Sequence, residues 1–114
     1  MAQLSEETQA IVLDLQKSLL MIIHEASFFQ FTILENYGET EATLSDLEQL
    51  DNVQQRADTY YSRLSTLLRQ IAASQPLPTS AILKLLDRSI EDAKGTVFAL
   101  QATIQEIKQD WRLQ

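Results

Sequence analysis

Residues 12–34 read VLDLQKSLLMIIHEASFFQFTIL, and two apolar patterns run through them at once. The first is Val12, Leu15, Leu19, Ile22, Ala26, Phe29 and Ile33, in which steps of three and four residues alternate without a break. An average step of 3.5 residues keeps one seam of an α-helix facing its partners and imposes a left-handed supercoil. The same rhythm recurs twice further on. Leu50, Val53, Ala57, Tyr60, Leu64, Leu67 and Ile71 keep it, and so do Leu83, Leu86, Ile90, Ala93, Val97, Leu100, Ile104, Ile107 and Trp111. The spacing therefore predicts an all-α protein with three long helices.

Local signals set the ends. Ser5 is placed to cap the first helix, with Glu6 and Glu7 in the first turn where the helix dipole favours anions. Gly38 suits the position just past its end, because glycine takes the left-handed conformation without penalty. The first helix is thus expected over 6–37. Ser45-Asp46-Leu47-Glu48 has the pattern of a capping box, which starts the second helix at 45, with Thr40 as an earlier candidate. Pro76 and Pro78 end it near 74, since each removes a donor and drives its predecessor out of the α region. Thr79 or Ser80 caps a third helix over 80–112. Both connections are short, so sequential helices are expected to be antiparallel neighbours in an up-down-up bundle, one domain over 1–114.

Composition narrows the functions on offer. The chain has 114 residues, two glycines and two prolines, which leaves little material for turns and favours few, long elements. The formal charge is −7, with nine scattered basic residues, which argues against nucleic acid. There is no cysteine, which removes disulfides and zinc–thiolate sites. The stretch from Ser18 to Leu34 is the most apolar, yet it holds His24, Glu25, Ser27, Gln30 and Thr32, so no membrane span is expected. The start of the chain is acidic where a secretory signal would be basic. A cytoplasmic protein is the expectation.

The second pattern in 12–34 is the unusual one. Leu13, Leu20, Met21, Phe28, Phe31 and Leu34 fall within ~80° of Leu13 at about 100° per residue, opposite the mean direction of the seam. The first helix is therefore apolar on two opposed faces, whereas in a three-helix bundle only one face can meet the other two helices. The second stripe is expected to meet another chain, most simply a second copy in a C2 dimer. The competing expectation is a bent or tilted first helix that buries both stripes internally. His24, the sole histidine, lies on this stripe and reads as an interface histidine. One histidine does not make a metal site without carboxylate partners.

The remaining candidates are thin. Glu35, Glu39, Glu41, Asp46, Glu48 and Asp51 lack the spacing of a calcium loop and read as a solvated acidic surface. Ile90-Glu91-Asp92-Ala93-Lys94-Gly95-Thr96 resembles the H-x-x-K-G of histidine phosphotransfer domains at Lys94 and Gly95. Glu91 stands where the phosphorylated histidine would be, so phosphotransfer is not carried over. The segment is also similar to the E-E-x-x-D helix of all-α nucleotide pyrophosphohydrolases, which implies Mg²⁺ bound by Glu91 and Asp92. The second acidic motif of that family is missing. Gly95, at an outward heptad position, marks either a close approach by another backbone or a tolerated substitution. The leading expectation is a non-catalytic, self-associating adaptor, assembly factor or regulatory subunit without cofactor or metal. The alternatives are a Mg²⁺-dependent nucleotide hydrolase, or an export-type chaperone that offers a groove to an amphipathic helix.

Overall fold

In a computed structural model, which describes residues 4–112, the chain forms α1 (Glu6–Tyr37), α2 (Glu41–Ala73) and α3 (Ser80–Asp110). The three are 32, 33 and 31 residues long, so each spans about 48 Å. Short connections at alternate ends fold them up-down-up, and all three pairs of helices touch. The result is a rod of 56 × 19 × 17 Å. No helix among the described residues is long and apolar enough to cross a membrane.

The heptad seams form the core. All seven seam residues of α1 are buried, and so are Leu50, Val53, Ala57, Leu64, Leu67 and Ile71 of α2. From α3, Leu86, Ile90, Ala93, Leu100, Ile104 and Ile107 join them. Tyr60, Leu83, Val97 and Trp111 pack around the margin. Each fully buried aliphatic side chain contributes about 1.5–3 kcal/mol of transfer free energy, which makes this single cluster the main source of stability.

Polar side chains fix how the helices slide past one another. Gln16 is buried and its Nε2 donates to Ser65 Oγ at 2.7 Å across the α1–α2 contact. About four helical turns further on, Gln30 Nε2 donates to the Leu47 carbonyl at 3.0 Å, while Gln54 Nε2 donates to Gln30 Oε1 at 2.7 Å. These bonds exist in one axial register only, because a slip of one residue separates the partners by about 1.5 Å. At the far end of the rod, Trp111 packs against Tyr37 with ring centres 4.8 Å apart and planes tilted at 46°, and its Nε1 donates to Asp46 Oδ2 at 2.6 Å. One indole thereby ties the end of α3 to both α1 and α2.

Ser5 and Thr79 cap their helices as expected, accepting from the Thr8 and Ile82 N–H groups. Gly38 has φ of 71° and donates to the Leu34 carbonyl at 3.0 Å. Two boundaries differ from the sequence reading. α2 begins at Glu41 rather than at 45, and its capping box is formed by Thr40 and Thr43. Thr43 Oγ1 accepts from the Thr40 N–H at 2.9 Å and donates to the Gly38 carbonyl at 2.9 Å. Because Thr43 is buried whereas Ser45 is exposed, the earlier cap joins the helix start to the core and the later one would not. α3 ends at Asp110, two residues short of 112, with the N–H of its cap Trp111 still donating to the Ile107 carbonyl at 3.1 Å and Arg112 at φ of 53°. The expected domain over 1–114 extends at both ends outside the described residues.

Thr43→Val keeps the shape but strands the Thr40 N–H and the Gly38 carbonyl. It is expected to lower unfolding stability by about 1–3 kcal/mol in urea titration. Ser45→Ala, by contrast, should stay within about 0.5 kcal/mol of the parent. Equal losses from the two would place the helix start at Ser45.

Candidate interaction surface

α1 meets its neighbours along one side only. Gln16 and Gln30 mark the flank that reaches α2. Ile22 and Phe29 mark the flank that reaches α3: Ile22 shares a cleft with Ile104, and Lys108 Nζ lies 6.0 Å from the centre of the Phe29 ring. The opposite side of α1 faces outward for its whole length.

On that side stand all six apolar residues of the second stripe. Phe31 is 62% exposed, Leu13 59%, and Leu20, Met21 and Phe28 are each 51% exposed. Leu34 is 45% exposed. The expectation of a bent helix burying both stripes is thus overturned: α1 stays a continuous helix and its seven-residue seam saturates the contact with α2 and α3. The stripe runs about 32 Å from Leu13 to Leu34. His24 lies on it, exposed, between Leu20 and Phe28. Ser27 Oγ donates back to the His24 carbonyl at 2.9 Å, and Thr32 Oγ1 to that of Phe28 at 2.9 Å. The hydroxyls within the stripe are therefore turned onto the helix's own backbone, which lowers their demand for water.

Two exposed apolar residues of α3, Leu85 and Phe98, escaped the sequence reading. Phe98 of α3 is 78% exposed, more than any other large apolar side chain among the described residues. It lines an open cleft of about 370 Å³ between α1 and α3 together with Ile22, Glu25 and Ala102. Met21 and Phe28 flank Glu25 at i−4 and i+3, so the cleft, which also holds Gln101 and Gln105, lies beside the apolar stripe of α1. Phe98 directly follows the seam residue Val97, and its neighbours Ala99, Ala102 and Gly95 are small. A lone aromatic off the seam was the available signal.

Other candidates remain apart. Glu91 and Asp92 lie mid-way along α3, about 28 Å in helical rise from Trp111 and hence from Asp46 in the acidic turn. Glu91 pairs with Lys94 at 3.4 Å, an exposed contact within one turn. Among the described residues no three of His, Cys, Asp and Glu stand close enough to hold a metal ion. Two further clefts are outer grooves between α2 and α3: one of about 250 Å³ lined mainly by polar residues such as Asn52 and Arg56, and one of about 340 Å³ in which Leu67 and Leu85 lie among Arg63, Gln70 and Ser89. No atom lies within 4 Å of a Cβ built on Gly95, so no described segment of this chain approaches it. Compared with protein-family models, curated proteins and solved structures, the chain matches none.

The space around Gly95 allows a side chain in a helical residue that pays an entropy penalty for lacking one. Gly95→Ala is expected to stabilise the protein by about 1 kcal/mol, raising Tm by about 4 °C in a thermal melt. A fall in solution mass in the same variant would instead mark Gly95 as a contact for another molecule.

Proposed function

We propose that this protein works by association rather than by chemistry, as an adaptor, assembly factor or regulatory subunit that pairs with a second copy of itself through α1. The observation that carries this reading is the outward face of α1, where six large apolar side chains stand about half exposed along one line. Soluble proteins rarely leave a contiguous apolar patch of several hundred Å² open to water unless it binds something.

The size of the patch suits a homodimer. With roughly 200 Å² for each fully exposed large side chain, six half-exposed ones present on the order of 600 Å². A symmetric pair would then bury on the order of 1,200 Å² in total, at the lower edge of specific interfaces. The edge of α3 around Phe98 adds to this. A twofold arrangement needs one self-complementary surface per chain, and α1 supplies one that is long, straight and largely without charge. Two aromatic rings and a methionine match the side chains that interface cores favour.

A second reading draws on Phe98 and the α1–α3 cleft. That groove has the form in which an amphipathic helix of a different protein docks, as on an export-type chaperone.

Light scattering decides between them. The parent is expected at about twice the monomer mass of 13.0 kDa. Phe28→Glu with Phe31→Glu is expected at the monomer mass with unchanged helical circular dichroism, because both side chains lie outside the core. A monomeric parent would remove the homodimer and leave the groove reading.

A further inference from the structure

We infer that the two copies pair antiparallel along α1, with the twofold axis between Glu25 and Ala26, so that Lys17 of each chain lies beside Glu35 of the other. This deepens the proposed self-association and rests on it. It is argued from the order of polar residues along the exposed stripe.

The outward line of α1 has a heptad rhythm of its own. Leu13, Lys17, Leu20, His24, Ser27, Phe31 and Leu34 follow one another by alternate steps of four and three. Met21, Phe28 and Glu35 flank this line at seven-residue intervals. Three members of the line are polar, and they choose the orientation. A parallel pair sets each residue against itself, which places Lys17 on Lys17 and His24 on His24 within the seam. Two lysine charges brought together at an interface are strongly disfavoured, and two identical imidazoles compete for the same partners.

Reversing one chain removes both conflicts. When residue numbers in opposed positions sum to 51, His24 shares a layer with Ser27 of the second copy, twice, on either side of the axis. The Ser27 hydroxyl donates to its own helix at 2.9 Å, which leaves its oxygen free to accept from an imidazole N–H. In the next layer Leu20 meets Phe31 of the second copy. In the outermost layer Lys17 meets Leu34, with Glu35 adjoining. Within the two layers on either side of the axis, polar groups meet polar groups and apolar groups meet apolar groups; in the outermost layer the Lys17 ammonium reaches past Leu34 to Glu35.

The charges complete the match. Lys17 and Glu35 are both exposed, and they are 18 residues apart on one straight helix, about 27 Å, so they cannot pair within a chain. Among the described residues the one ion pair is Lys94–Glu91, which leaves both groups unpaired. In the antiparallel pair Lys17 stands between its own Asp14, three residues back, and Glu35 of the second copy. Each end of the interface thus gains a cation set between carboxylates.

The absence of native cysteine makes the test clean. Full-length Leu20→Cys and Phe31→Cys variants are made singly, their mass is measured, and they are oxidised alone and as a mixture. The antiparallel pair brings position 20 against position 31 of the other chain. Each position lies 11 residues, about 16 Å, from its own counterpart, well beyond the ~7 Å a disulfide spans. Only the mixture is therefore expected to give a covalent dimer. Cross-linking of either variant with itself, or no mixed product from chains that are dimeric by mass, overturns the orientation while leaving self-association standing. Monomeric parent protein overturns both. As an independent check, Lys17→Glu and Glu35→Lys should each weaken dimerisation on the order of tenfold, and the double reversal should restore it. A double variant as weak as either single one also overturns the pairing.

Discussion

A helix packed against two neighbours has only one side to give them. In this chain that constraint falls on α1, whose seven-residue seam is fully occupied by α2 and α3. Everything else about the molecule follows from what is left over. The heptad of α1 satisfies the bundle, and the second apolar line finds no place within it. α2 and α3 touch each other directly, so α1 does not lie between them and cannot bury both lines at once. The mismatch is therefore built into the chain, and a further surface is the physical means of resolving it.

The bundle that creates this mismatch is held in a defined register. Aliphatic seams alone tolerate axial slippage, since one leucine layer resembles the next. The amides of Gln16, Gln30 and Gln54, and the indole N–H of Trp111, do not. Each is a directional bond between helices whose loss leaves a partly buried polar group without a partner. They also decide which flank of α1 faces α2, and hence which flank is free. The outward stripe owes its straightness and its orientation to these few polar contacts as much as to the core.

Charge contributes little to the fold and more to what the surface can accept. One exposed ion pair among the described residues, on a chain of net charge −7, adds almost nothing to stability. The acidic groups collect at the turn between α1 and α2 and along the outer faces of α2 and α3. The outward line of α1 is by comparison nearly neutral, with a single lysine and a flanking glutamate. A surface that is apolar in the middle and complementary in charge towards its ends is suited to a partner laid against it in reverse.

The sequence by itself determined the three helices, their seams, the caps at Ser5 and Thr79 and the end at Gly38, because these depend on interactions within a few residues or on a period that a helix must obey. It also determined that Leu13, Leu20, Met21, His24, Phe28, Phe31 and Leu34 share a face. Tertiary structure decided that, among the described residues, neither α2 nor α3 covers that face. It decided as well that α2 starts at Glu41 with Thr40 as its cap, since the better cap is the one whose partner, Thr43, is buried by packing. Phe98 became part of the surface in the same way: whether a side chain beside a seam is covered depends on the neighbouring helix. Gln16, Gln30 and Asp46 could not be read in advance because their partners lie 17 to 65 residues away. Local rules fix a helix and its faces, but only the packing of all three fixes which face is left for another molecule.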